Sequence, residues 1–95
     1  MDAAGHDSSG KAVAVAVITT SGTFPDVDDY RRAYETEIVS EILAMAAKKL
    51  GLTNTADWDA NVENRPIEPT TSFRQNNLSG IVEIEWHKRE GGGGA

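Results

Sequence analysis

The sequence predicts a two-layer α+β domain, a mixed sheet of about four strands crossed on one face by one long helix. Three observations predict it. Val13, Val15 and Val17 alternate with Ala12, Ala14 and Ala16, a period of two. A helical apolar stripe runs from Tyr30 to Leu50. Val82, Ile84 and Trp86 alternate with Glu83, Glu85 and His87 near the other end. The two alternating segments are the most apolar strands and are expected centrally, side by side, beneath the helix.

The elements follow in chain order. Residues 1–10 are small and polar and are expected to form an arm outside the fold. The valine strand comes next, and Ser21-Gly22 is a turn signal. Thr23 and Phe24 begin a short return strand that Pro25 blunts. Asp26 with Asp29, or alternatively Asp28, reads as the N-cap of a helix over 26–50. Tyr30, Tyr34, Ile38, Ile42, Met45 and Leu50 form its stripe, widened by Val39, Leu43 and Ala46. Lys48 and Lys49 suit the negative end of the helix dipole, and Gly51 with Leu52 suits a Schellman ending. Trp58, Ala60 and Val62 then alternate with Asp59 and Asn61 as a middle strand. ENRPIEP is a turn region, TTSFRQNNLSG an irregular stretch pinned by Phe73 and Leu78, and IVEIEWH the last strand. This gives an arm over 1–10, a domain over 11–90 and a glycine tail over 91–95.

Composition narrows the function. With 95 residues the chain is one small domain. Without cysteine it has neither disulfide, nor thiolate metal site, nor thiol nucleophile. A net charge of −6 argues against nucleic acid or an anionic membrane as the main partner. Apolar runs fall well short of the roughly 18 residues that span a bilayer. The start of the chain does not read as a secretory signal, so a cytoplasmic location is expected and the Asn77-Leu78-Ser79 sequon is taken as chance. His6 lies in the arm and His87 stands alone on a strand, so neither reads as a metal ligand. Glu83 and Glu85 read as a solvated strand face rather than an acid pair. Trp58 and Trp86 read as core; an exposed Trp86 would instead be a binding anchor. No nucleophile–base pair is visible, so no enzyme activity and no cofactor are expected.

The four glycines Gly91, Gly92, Gly93 and Gly94, before Ala95, carry the sharpest hint. Glycines lose entropy on ordering and offer nothing to pack, so they serve best where a backbone must enter something narrow. The order of elements and the stretch DANVENRPIEPTTSFRQNNLSGIVEIEWHKREGGGG resemble the ubiquitin-like modifiers of the β-grasp fold. The resemblance is greatest to those encoded in bacterial operons beside activating enzymes, conjugating enzymes and a metallopeptidase. It implies a modifier joined to target amines through an isopeptide bond. A peptidase would remove Ala95 after Gly94, and cuts after Gly93 or Gly92 would also leave a diglycine end. An activating enzyme using ATP and magnesium would adenylate the exposed carboxylate, with a conjugating enzyme next in line. His87, Lys88 and Arg89, the cations nearest the tail, would guide it to an acidic enzyme surface. Two alternatives stay open: a sulfur carrier ending in a thiocarboxylate, and a non-covalent binding domain with a passive tail. The face opposite the helix is expected to show Ala12, Ala14, Ala16, Glu83, Glu85 and His87, without an apolar patch.

Overall fold

The computed structural model describes residues 10–89. The N-terminal arm expected over 1–10 therefore meets the described residues only at Gly10, and His6, Gly91, Gly92, Gly93, Gly94 and Ala95 lie outside them. In chain order the elements are β1 (Ala12–Thr19), β2 (Gly22–Phe24), β3 (Arg31–Tyr34), α1 (Val39–Leu50), β4 (Trp58–Val62), β5 (Arg65–Pro66) and β6 (Gly80–Lys88). The sheet order is β2-β1-β6-β4-β5, with β3 also paired to β1. β1 and β6 are parallel neighbours at the centre, Val15 opposite Val82 and Val17 opposite Ile84, as their apolar alternation predicts. The core is Val13, Val15 and Val17, Val82, Ile84 and Trp86, the helix residues Val39, Ile42, Leu43 and Ala46, and Phe73, Leu78 and Ile67. Trp86 is thus a core residue and not an exposed anchor.

The helix is shorter than its periodicity suggests. It begins at Val39, so neither Asp26 nor Asp28 caps it; Ile38 stands at the N-cap, without a side-chain cap bond. Its first amides are satisfied from elsewhere, Val39 N–H donating to the Thr71 carbonyl at 3.0 Å and Ser40 N–H to the Pro69 carbonyl at 2.8 Å. Of the preceding residues, Arg31–Tyr34 form β3 instead, and Tyr30, Tyr34 and Met45 of the predicted stripe are left exposed. Pairing with the open edge of β1 satisfies a row of backbone groups that a helix over 26–38 would leave exposed there, and it buries Ala33. The far end ends as expected: Gly51 is left-handed at φ 70° and Leu52 N–H donates to the Ala47 carbonyl at 2.8 Å, as in a Schellman motif.

β2 and β3 are two halves of one returning strand. Val17 faces Phe24 and Val15 faces Arg31, so two steps along β1 match seven along the returning chain and five residues are looped out. The break falls opposite Ala16. From this loop Tyr30 donates its hydroxyl hydrogen to Glu83 Oε2 at 2.8 Å, and Glu83 is the β6 partner of Ala16. Tyr30 therefore straps across β1 at Ala16, which is buried although its alternation places it on the open face. Losing the phenolic proton would break that bond, which holds the Tyr30 pKa above its ordinary value, helped by desolvation and the charges of Glu83 and Asp28.

The turn region after β4 is a tight hairpin. Glu63 and Asn64 both have positive φ, at 52° and 62°, the signature of a type I′ turn, and Val62 pairs with Arg65. Beyond it a short turn over 72–77 is organised by buried Asn76. Its Nδ2 donates to the Glu68 and Ser72 carbonyls at 3.0 and 2.8 Å and to Thr71 Oγ1 at 3.0 Å, while its Oδ1 accepts from Glu68 N–H at 2.7 Å. A buried amide bonded through both its NH2 and its oxygen fixes one loop conformation.

Glu35 ties three segments together. Its Oε2 accepts from Arg74 Nη2 at 2.6 Å and from Lys11 N–H at 3.0 Å, linking β1, the end of β3 and the 72–77 turn. The Arg74 hydrogen bond first, then the Lys11 amide, lower the Glu35 pKa below the ordinary carboxylate range. A lowered folded pKa means stability that is present above the unfolded value and lost as pH falls through the folded one. In urea titrations between about pH 6 and about pH 3, the stability gap between wild type and Glu35→Gln should narrow toward acid. A gap that does not change with pH would show that the carboxylate charge contributes nothing.

Candidate functional site

The end of β6 is where the fold delivers the chain to the glycines. β6 pairs β4 antiparallel, Asp59 opposite His87 and Trp58 opposite Lys88. Strand alternation therefore separates the predicted cations: His87 lies on the open face and Lys88 on the helix side. Arg89 lies just beyond the strand. Its Nε and Nη2 donate to both carboxylate oxygens of Asp59, Nε to each at 3.3 Å and Nη2 to Oδ1 at 3.2 Å. That bond raises the Arg89 pKa, with the charges of Asp59 and Asp57 adding to it. Both partners are substantially exposed, so the pair orients the chain more than it stabilises the fold.

Sequence reading missed Asp59. It appeared only as a polar member of an alternating strand, and the β4–β6 register that sets it beside His87 is not visible in spacing. Next to the pair, an open groove of about 620 Å³ runs between α1 and the β4–β5 edge, with Leu43, Ala47, Trp58, Pro66, Trp86 and Arg89 in its wall. The two tryptophans meet edge to face, with centroids 5.1 Å apart.

The open sheet face differs from its sequence portrait. Ile81, beside Ala14 in the register, is 69% exposed, and Ile18 stands in line with it on β1. Glu83 and Glu85 do point to solvent there, and Glu63 from the β4–β5 turn joins them around a cleft of about 270 Å³. Ile81 had the alternation needed to predict it, because it shares the parity of Glu83 and Glu85. Among the described residues, no group of three or more His, Asp or Glu side chains is placed to hold a metal ion. No described helix is long and apolar enough to cross a membrane.

A hairpin, one helix on the sheet, a further hairpin, a capping turn and a central final strand parallel to the first make this a ubiquitin-like β-grasp fold. Solved structures agree. A de novo design based on ubiquitin superimposes with a TM-score of 0.64 at 19% identity, over 88% of this chain and 96% of the design. A structure described as molecular mimicry of SUMO that promotes DNA repair gives a TM-score of 0.60 at 10% identity, over 83% of this chain and 96% of that one. No protein-family profile and no curated protein matches the sequence.

Proposed function

We propose that this chain is a ubiquitin-like protein modifier, of the kind encoded in bacterial operons with its own activating and conjugating enzymes. One observation carries the reading: in a ubiquitin-like fold, the last and central strand leads within three residues of Lys88 into four consecutive glycines. A glycine backbone without β-carbons threads a narrow active site that any larger residue would obstruct.

The chemistry follows from a peptide carboxylate. A peptidase cuts after Gly94, or after Gly93 or Gly92, and frees a glycine carboxylate. In the activating enzyme, with magnesium, a carboxylate oxygen attacks the α-phosphorus of ATP and pyrophosphate leaves. An enzyme cysteine thiolate then displaces AMP to form a thioester. A conjugating enzyme carries the acyl group onward. A lysine amine of a target attacks the carbonyl, loses a proton and expels the thiolate, leaving an isopeptide bond. This chain supplies the acyl group and its presentation, and the enzymes supply the catalysis. His87, Lys88 and Arg89 are the basic residues nearest the tail's root, on both faces of the strand and with Arg89 held by Asp59, and an acidic enzyme surface would meet them there.

The test is mass spectrometry of an N-terminally tagged copy, expressed in its native host and purified under denaturing conditions. Expected are chains that have lost Ala95, and lysines of other proteins carrying glycine remnants of this tail. Chains ending in a thiocarboxylate would mean a sulfur carrier instead. Unprocessed chains under every growth condition would return the glycines to a passive tail.

A further inference from the structure

The open sheet face carries an unbalanced charge. Glu83 and Glu85 are neighbours on one face of β6, and Glu63 stands across the cleft from them. Like charges this close on a pleated face oppose folding. The described ion pairs use Glu35 and Asp59; among the described residues none engages Glu63, Glu83 or Glu85. The neutral Tyr30 hydroxyl is the described partner of Glu83. The basic residues of this face stand toward its margins, Arg32 on the edge strand β3 opposite Ala14 and His87 at the far end of β6. At one end of the carboxylate row, two residues before Glu83 on the same face of β6, sits Ile81, 69% exposed, with its flank open to the cleft.

We propose that this face docks a basic protein segment, with an aliphatic side chain on Ile81 and lysine or arginine side chains against Glu63, Glu83 and Glu85. Charge complementarity selects the occupant. A cationic segment turns a repulsive cluster into three attractive pairs, and the isoleucine gives it an apolar anchor that a bare polyelectrolyte lacks. The sign excludes nucleic acid. The Tyr30 strap holds Glu83 in place at one side of the cleft, which reduces the entropy lost on binding. This docking surface is separate from the tail and does not depend on the tail's being reactive.

The probe is the peptide acetyl-Lys-Leu-Lys-Leu-Lys-amide, titrated into the isotope-labelled full chain and followed by amide NMR shifts, with its glutamate counterpart as control. Expected are shifts centred on Ile81, Glu83, Glu85 and Glu63, absent with the glutamate peptide and shrinking as salt rises. The triple variant E63Q/E83Q/E85Q should bind about tenfold more weakly, the loss of three exposed ion pairs. Ile81→Ser should weaken binding with the charge unchanged. E41Q/D57N/E68Q removes the same charge elsewhere and should bind nearly as wild type. Equal weakening by both triple variants would reduce the effect to net charge and overturn the proposal. So would shifts centred on the Trp58 groove, or unchanged binding by Ile81→Ser.

Discussion

Deleting residues 91–95 is expected to abolish every covalent adduct of this protein and leave its fold unchanged. The domain is complete without them. β6 ends at Lys88, the core residues lie between Val13 and Trp86, and the last described tertiary bond is that of Arg89 with Asp59. The urea midpoint and amide spectrum should therefore match wild type, while adducts in the native host fall below detection. A graded companion sharpens this result. Replacing Gly93 and Gly94 with valine restores β-carbons and restricts the backbone where a narrow channel would have to admit it. Adenylation, read as pyrophosphate exchange with the cognate activating enzyme, should fall by at least about a hundredfold, roughly 3 kcal/mol of lost transition-state stabilisation. Exchange at the wild-type rate would mean that the glycines are a spacer and that some other feature presents the carboxylate.

The second large effect is structural. Phe73→Ala should cost about 3–5 kcal/mol, against a total near 5–15 for a domain of this size. Phe73 is fully buried. Its backbone also joins two regions: its N–H donates to the Glu37 carbonyl at 3.1 Å, before the helix, and its carbonyl accepts from Leu78 N–H at 2.9 Å. Truncation opens a cavity where α1, the 72–77 turn and the entry to β6 meet. The melting temperature should drop by roughly 15–30 °C. Asn76→Ala should cost less, about 1–3 kcal/mol, chiefly because Glu68 N–H loses its acceptor. If Phe73→Ala cost less than about 1 kcal/mol, the turn would have to collapse into the space, and it would not be the pin that its burial implies.

The second effect falls where the sequence was easiest to read. Strict valine alternation, Gly51 closing a last turn that holds Lys48 and Lys49, and isolated Phe73 and Leu78 in a polar stretch each have one economical reading, and the fold follows it. Residues 26–38 had two. Tyr30, Tyr34 and Ile38 are spaced as on a helix, and the aspartates before them resemble caps. What decides for a strand is the free edge of β1, a partner far back in the chain, and local propensity carries no record of it. The same holds for the surfaces. Glycines announce themselves, but Asp59 gains its meaning from Arg89, thirty positions away, and Glu63 gains its meaning from a hairpin that turns it toward β6. Ile81 was legible from parity alone; only its exposure needed the structure.

The parallel pairing of β1 with β6 has a consequence for synthesis. The first strand made must wait for the last, because its central neighbour is encoded at positions 80–88. A nascent chain stalled or cut before that point lacks the central strand that pairs with nearly the whole length of β1, so its valine strand keeps an open edge and an incomplete core, exposed to chaperones and proteases. The strand that completes the core is the one that directly precedes the glycines in the sequence, so a chain that has them also has every strand of the sheet. Truncated translation products lack both the central strand and the glycines, so under the proposed modifier role half-made copies would not be competent to attach.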